Sequence, residues 1–139
     1  MSAPRVRVQW TETAKNALKK LPLRARQGIL SKADDLYHGP DPRSAHKPMV
    51  GPLLGLYSMT YARYRALYSV HEDREAGGVR VLTITVQFVL AGIRKAGDRH
   101  DIYEVARKLV TLGVIETAGA PATTVRKRRG KRNPSTPAR

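Results

Sequence analysis

The hydrophobic period of this chain switches from two to about 3.6 and back along its length, and that alternation restricts the fold more than any other feature. Arg5 to Trp10 places Val6, Val8 and Trp10 on one side, the pattern of a half-buried strand. Thr11 then stands as an N-cap before Ala14, Ala17, Leu18 and Leu21 at helical spacing, and Pro22 closes the stretch, so a helix is predicted from Glu12 to Lys20. A second helix is predicted from Leu23 to Tyr37, with Ile29, Ala33, Leu36 and Tyr37 as its apolar stripe and His38-Gly39-Pro40 as its stop. Two short helices in succession form an antiparallel hairpin.

Gly39 to Pro52 contains Pro40, Pro42, Pro48, Gly51 and Pro52, a composition that predicts a surface loop. The period then returns to two. Leu54 to Tyr61, Tyr64 to Val70 and Val79 to Leu90 are rich in Tyr, Val, Leu and Thr and read as a three-strand meander. A tight turn at Ala62-Arg63 would set Thr60 opposite Arg65 and Ser58 opposite Leu67. Asp98 to Gly113 carries a last helical signal, with Ile102, Val105, Ala106 and Leu109 on one side and a start near Asp101. The predicted class is α+β: an N-terminal strand, a helical hairpin packed on a mainly antiparallel sheet with a three-strand meander, and a C-terminal helix.

At 139 residues the chain suits one compact core, assigned here to residues 1–117, followed by a basic tail over 118–139. The tail combines small residues and three prolines with Arg126-Lys127-Arg128-Arg129-Gly130-Lys131-Arg132, and it is expected to be disordered because it offers too little apolar surface to offset ordering. Of the net charge of +15, the tail holds seven cations and no acid, leaving nineteen cations against eleven acids, or +8, for the body. Such an excess attracts polyanions and releases counterions when it neutralises phosphates, so RNA, DNA or anionic lipid could each answer it. Cysteine is absent and the four histidines show no ligand spacing, so no metal and no other cofactor is expected. No apolar run reaches the roughly 20 residues that span a bilayer, and Met1 to Arg7 lacks a signal core, so a cytoplasmic protein without a membrane partner is expected.

Three motifs then follow one another in order. Gly51-Pro52-Leu53-Leu54-Gly55-Leu56-Tyr57 leads into the second strand, Tyr64-Arg65-Ala66-Leu67-Tyr68 forms the third, and Gly92-Ile93-Arg94-Lys95 with Gly97-Asp98-Arg99-His100-Asp101-Ile102-Tyr103 joins the fourth to the last helix. With the order of elements, from about Val6 to Leu109, they resemble the bacterial RelE/ParE toxin superfamily. The resemblance implies a type II toxin, an mRNA interferase acting on the ribosome without a metal and using the substrate's own 2′-hydroxyl as nucleophile. It also implies a cognate antitoxin that masks the basic face.

Such a reaction needs a proton acceptor, charge stabilisation at the crowded phosphorus, and a proton for the leaving oxygen. A guanidinium suits the second task, being planar, always charged and bidentate towards phosphate oxygens. The resemblance assigns it to Arg65, with Arg99 or Arg94 as the second arginine and Tyr103 as the C-terminal tyrosine that orients RNA. The second strand offers only Leu56, Ser58 and Thr60 on the corresponding face, so His100, or Lys95 with a lowered pKa, is the candidate for proton transfer. Arg63, Arg94, Lys95 and the tail's Arg126, Lys127, Arg128 and Arg129 are candidate RNA contacts. Competing readings exist at each position. Arg65 could pair with Asp101 or Glu104, Tyr103 could serve packing, and Tyr57, Tyr61, Tyr64 and Tyr68 suit sheet packing more than base stacking. At the level of the whole chain, the alternatives are a ParE-type inhibitor of gyrase and a nonenzymatic nucleic-acid-binding protein that kept the fold.

Overall fold

The computed structural model describes residues 4–78 and 80–117. Along the chain lie β1 (Arg5–Trp10), α1 (Glu12–Lys19), α2 (Leu23–Asp35), α3 (Pro42–Ala45), β2 (Lys47–Pro48), a 3₁₀ turn (Gly51–Leu53), β3 (Leu56–Tyr61), β4 (Tyr64–Arg74), β5 (Val81–Ile93) and α4 (Ile102–Thr111). The five strands form one sheet in the order β1-β5-β4-β3-β2. Only β1 runs parallel to its neighbour, pairing Arg5 with Thr83 through Trp10 with Phe88. The fold is α+β, as the sequence predicts.

The predicted N-cap forms. Thr11 accepts from the Ala14 N–H at 3.1 Å at the start of α1, satisfying one of the amides that a helix start leaves open. Chain turning at Ala62-Arg63 gives the expected register, with Thr60 beside Arg65 and Ser58 beside Leu67. Ala62 takes a φ of 52°, a conformation that glycine adopts more readily.

The stretch predicted as a surface loop, Gly39 to Pro52, is more ordered than its composition suggests. Asp41 caps α3 by accepting from the Arg43 N–H at 2.8 Å, and Pro42 occupies the first turn, where a missing N–H costs nothing. Pro42 itself is buried. Lys47 and Pro48 then pair with Ser58 and Tyr57 as a short edge strand. The last two predicted strands also run differently: β4 continues to Arg74, and β5 begins at Val81 and reaches Ile93.

Two apolar clusters sandwich the sheet. On one face α1 and α2 bring Ala14, Leu18, Ile29, Ala33 and Leu36 onto Met59, Ala66, Tyr68, Val86 and Phe88. On the other, α4 brings Ile102, Ala106 and Val110 onto Leu56, Leu67 and Leu90. β5 records both coverings. Ile84, Val86 and Phe88 are buried while Thr85 and Gln87 between them are only half-covered, but from Phe88 to Ala91 every residue is buried. A register shift makes this work, because Tyr68 pairs with Phe88 and Leu67 with Leu90, leaving Val89 as the extra residue of a bulge.

Tyr68 is the pivot of the helical-hairpin side. Its ring lies 5.4 Å from Tyr57 and 5.3 Å from Phe88, and its buried hydroxyl donates to the Pro42 carbonyl at 2.7 Å. Burial pushes this phenol's pKa well upward, so it stays a neutral donor. Tyr68→Phe leaves a buried carbonyl unpaired and is expected to lower unfolding stability by about 1–3 kcal/mol without altering the fold, measured by urea denaturation and far-UV circular dichroism.

Candidate functional site

The junction between β5 and α4 is organised by one carboxylate. Asp101 is 1% exposed and caps α4, accepting from the Tyr103 N–H at 3.1 Å, from the Lys95 N–H at 2.5 Å and from the Arg94 guanidinium at 2.7 Å. Burial alone would raise its pKa, but the Arg94 contact and the two amides outweigh that effect and hold it below the ordinary carboxylate value. Gly92 brings the first turn of α4 down onto the strand. A Cβ there would stand 3.3 Å from the Ile102 Cβ, closer than packed side chains ordinarily sit.

Arg94 does two further things from this anchored position. Its backbone N–H donates to the Arg63 carbonyl at 2.7 Å, tying the end of β5 to the β3-β4 hairpin. Its guanidinium also lies 4.5 Å over the Tyr103 ring, a cation–π geometry. Tyr103 is fixed at its other end, because its hydroxyl shares a 2.8 Å hydrogen bond with the buried Ser58 Oγ on β3. The phenol therefore bridges the sheet, with a cation on its face.

Arg65 stands on the same face of the sheet as Ser58. It pairs laterally with Thr60 and Gly92, one rung beyond the Ser58–Leu67 pair, or about 7 Å along the strand. Its Nη1 donates to the Ala62 and Tyr64 carbonyls at 3.0 and 2.9 Å. Among the described residues it has no carboxylate partner: Asp101 pairs with Arg94, and Glu104 pairs with Arg107. Both acids that could have made Arg65 a structural ion pair are thus engaged elsewhere.

A further cation arrives from the segment predicted as a loop. Lys47 is paired with Ser58 across β2 and β3, so their side chains share a face, and Lys47 is exposed. The Lys47-Pro48 dipeptide carries the signal that could have found it, since a residue before proline is driven to extended backbone.

No family model matches the chain, and no curated protein matches it. Among solved structures, the chain is similar to the toxin–antitoxin complex RelBE2 from Mycobacterium tuberculosis, with a TM-score of 0.49 and 26% identity, over 67% of this chain and 95% of that one.

The remaining candidates divide clearly. Arg99 and His100 lie exposed in the loop before α4, where the Arg99 Nε donates to His100 Nε2 at 3.3 Å and the His100 N–H donates to Asp98 at 2.7 Å. No hydrogen bond joins either side chain to Arg65 or Tyr103 among the described residues. Lys95 is exposed and sits 4.0 Å from Asp98. Arg63 is exposed at the hairpin tip. Tyr57, Tyr61, Tyr64 and Tyr68 all pack against the helical-hairpin cluster. Arg126, Lys127, Arg128 and Arg129 lie outside the described residues. Among the described residues no group of His, Cys, Asp or Glu could hold a metal ion, and no helix is long and apolar enough to cross a membrane.

Asp101→Asn isolates the ion pair, because asparagine still caps a helix. The substitution is expected to cost about 1–2 kcal/mol at neutral pH, discounted from a fully buried pair because Arg94 is partly exposed. The folded pKa is depressed, so this stabilisation is present above the unfolded value near 4 and is lost as pH falls through the folded value. The difference between wild type and variant should therefore shrink in acid, read from urea midpoints at a series of pH values.

Proposed function

We propose that this protein is the toxin of a type II toxin–antitoxin pair, of RelE/ParE type, and that it cleaves mRNA on the ribosome as a metal-independent endoribonuclease. The observation that carries the reading is Arg65: a half-buried guanidinium without a carboxylate partner among the described residues, on the sheet face that also presents Lys47, Arg94 and the bridged Tyr103. The element order and the three motifs resembling the superfamily support it, as does the +8 charge of the body.

In this reading the substrate's 2′-hydroxyl attacks the adjacent phosphorus. The P–O5′ bond breaks, and the products are a 2′,3′-cyclic phosphate and a free 5′-hydroxyl. Arg65 takes up the charge that develops on the non-bridging oxygens, a role for which its fixed charge and fork geometry suit it. Arg94 adds a second positive charge, oriented by Asp101, and Tyr103 offers its ring to a base of the bound strand. Arg94, rather than Arg99, is the second arginine that this geometry favours. In this reading Lys47, on the same face, protonates the 5′ leaving oxygen, and His100 is retained as acceptor of the 2′-hydroxyl proton. Arg63 and Lys95 contact phosphates further along the strand, the tail of residues 118–139 adds sequence-independent attraction, and an acidic antitoxin segment would mask these cations.

Primer extension on ribosome-bound mRNA with purified protein tests the proposal. Cleavage should persist in EDTA, and Arg65→Ala should slow it by about 10²–10³-fold, the loss typical of one transition-state donor. If neither free nor ribosome-bound RNA is cut and Arg65→Ala arrests growth as strongly as wild type, the catalytic assignment is wrong. Inhibition of DNA supercoiling with intact mRNA would transfer the protein to the gyrase-inhibiting branch.

A further inference from the structure

Apart from the Tyr68 phenol, the polar side chains buried among the described residues are those of Ser58 and Asp101, 3% and 1% exposed. Both act on one residue. Asp101 accepts from the Tyr103 N–H at 3.1 Å and holds Arg94, whose guanidinium lies over the Tyr103 ring. Ser58 shares a 2.8 Å hydrogen bond with the Tyr103 hydroxyl, from a strand 45 positions earlier in the chain. The serine is out of keeping with its surroundings. On its face of β3 it follows the buried Leu56 and lies beside Leu67, and both belong to the apolar cluster under α4. An apolar side chain there would pack without the cost of taking a hydroxyl out of water, a cost that only a hydrogen bond offsets. The Tyr103 hydroxyl is the side-chain partner that Ser58 has among the described residues, so the serine is accounted for by the tyrosine and not by the core.

The same bond restricts the tyrosine. Tyr103 is half-buried on the first turn of α4, where the Asp101 cap sets its backbone. A phenol tied at its far end as well keeps one ring orientation, so the ring and the guanidinium over it stay a single stacked unit. Aromatic rings and guanidinium planes both accept the flat face of an unpaired base. The side-chain freedom that such a unit would otherwise lose on taking up RNA is removed in advance, and that favours binding.

We infer, on the reading of RNA as the substrate, that Ser58 is a positioning residue. It touches no substrate itself; it holds the Tyr103 hydroxyl so that the Arg94–Tyr103 stack is pre-set to receive a base of a single-stranded segment. The phenol is thereby engaged in positioning and not in proton transfer.

Two measurements on the full chain test this role: fluorescence anisotropy with a labelled single-stranded RNA that carries 2′-O-methyl groups and so cannot be cut, and steady-state cleavage of ribosome-bound mRNA. Ser58→Ala and Tyr103→Phe each remove the same hydrogen bond and keep the ring. Each should weaken RNA binding by about 3–10-fold, the worth of one hydrogen bond, and the double variant should be no weaker than the singles. In cleavage the loss should fall on KM and not on kcat. Stability supplies the control, because Tyr103→Phe strands a buried serine hydroxyl whereas Ser58→Ala frees the hydroxyl of a half-exposed tyrosine. Urea midpoints should therefore fall further for Tyr103→Phe, although the two variants bind RNA alike. RNA affinity that follows the urea midpoints instead would make Ser58 a purely structural residue and overturn the inference. Unchanged binding in Ser58→Ala, additive losses in the double variant, or a loss confined to kcat, the mark of a phenol in proton transfer, would overturn it equally. Binding that follows the expected pattern without any cleavage removes the nuclease reading and leaves the role of Ser58 standing, whereas a wild type that binds no RNA ends both.

Discussion

Asp101 holds together the end of β5, the loop after it and the first turn of α4, and the geometry of the candidate site depends on that carboxylate. It is buried, so it is tolerable only because a guanidinium and two amides surround it. Those same partners are the parts that matter. Arg94 is fixed against the ring of Tyr103, and Tyr103 reaches across to Ser58. A residue that a local reading treats as a helix cap therefore sets the orientation of a cation and a phenol on the α4-covered face of the sheet.

The sheet makes this arrangement achievable by burying its two faces over different lengths. The helical hairpin covers one face along most of β5, whereas α4 covers the other only near the C-terminal half of that strand. The bulge at Val89 lets the strand serve both, turning Phe88 to one cluster and Leu90 to the other. At the end of the α4-covered face, the hairpin rung of Thr60, Arg65 and Gly92 has no large apolar side chain of its own, and Ile102 of α4 covers it at Gly92. Asp101 and Glu104 are spent on Arg94 and Arg107, so Arg65 and Lys47 on this face keep no carboxylate partner among the described residues.

The aromatic side chains also divide between packing and presentation on this scaffold. The tyrosines of β3 and β4 that resemble a stacking platform in sequence all belong to the packing under α1 and α2, so Tyr103 is left as the aromatic group presented with cations around it. The basic body attracts polyanions over long range, and under the proposed function specificity would come from the few fixed groups at the junction.

By itself the sequence determined the main elements and their order, the Thr11 cap and the hairpin register at Ala62-Arg63, because periodicity, capping and turn chemistry act over a few neighbouring residues, while Arg65 and Tyr103 became candidates through motifs that resemble the RelE/ParE superfamily. It also carried the Lys47-Pro48 signal, which the proline-rich surroundings concealed. Only the tertiary structure decided that Asp101 pairs with Arg94 rather than Arg65, that Ser58 anchors Tyr103, and that Lys47 joins their face. Those contacts link residues that are distant in the chain or compete for one partner. Which pair forms depends on the direction in which α4 leaves the sheet, and that direction is fixed by packing at Gly92 and Ile102 rather than by any local preference.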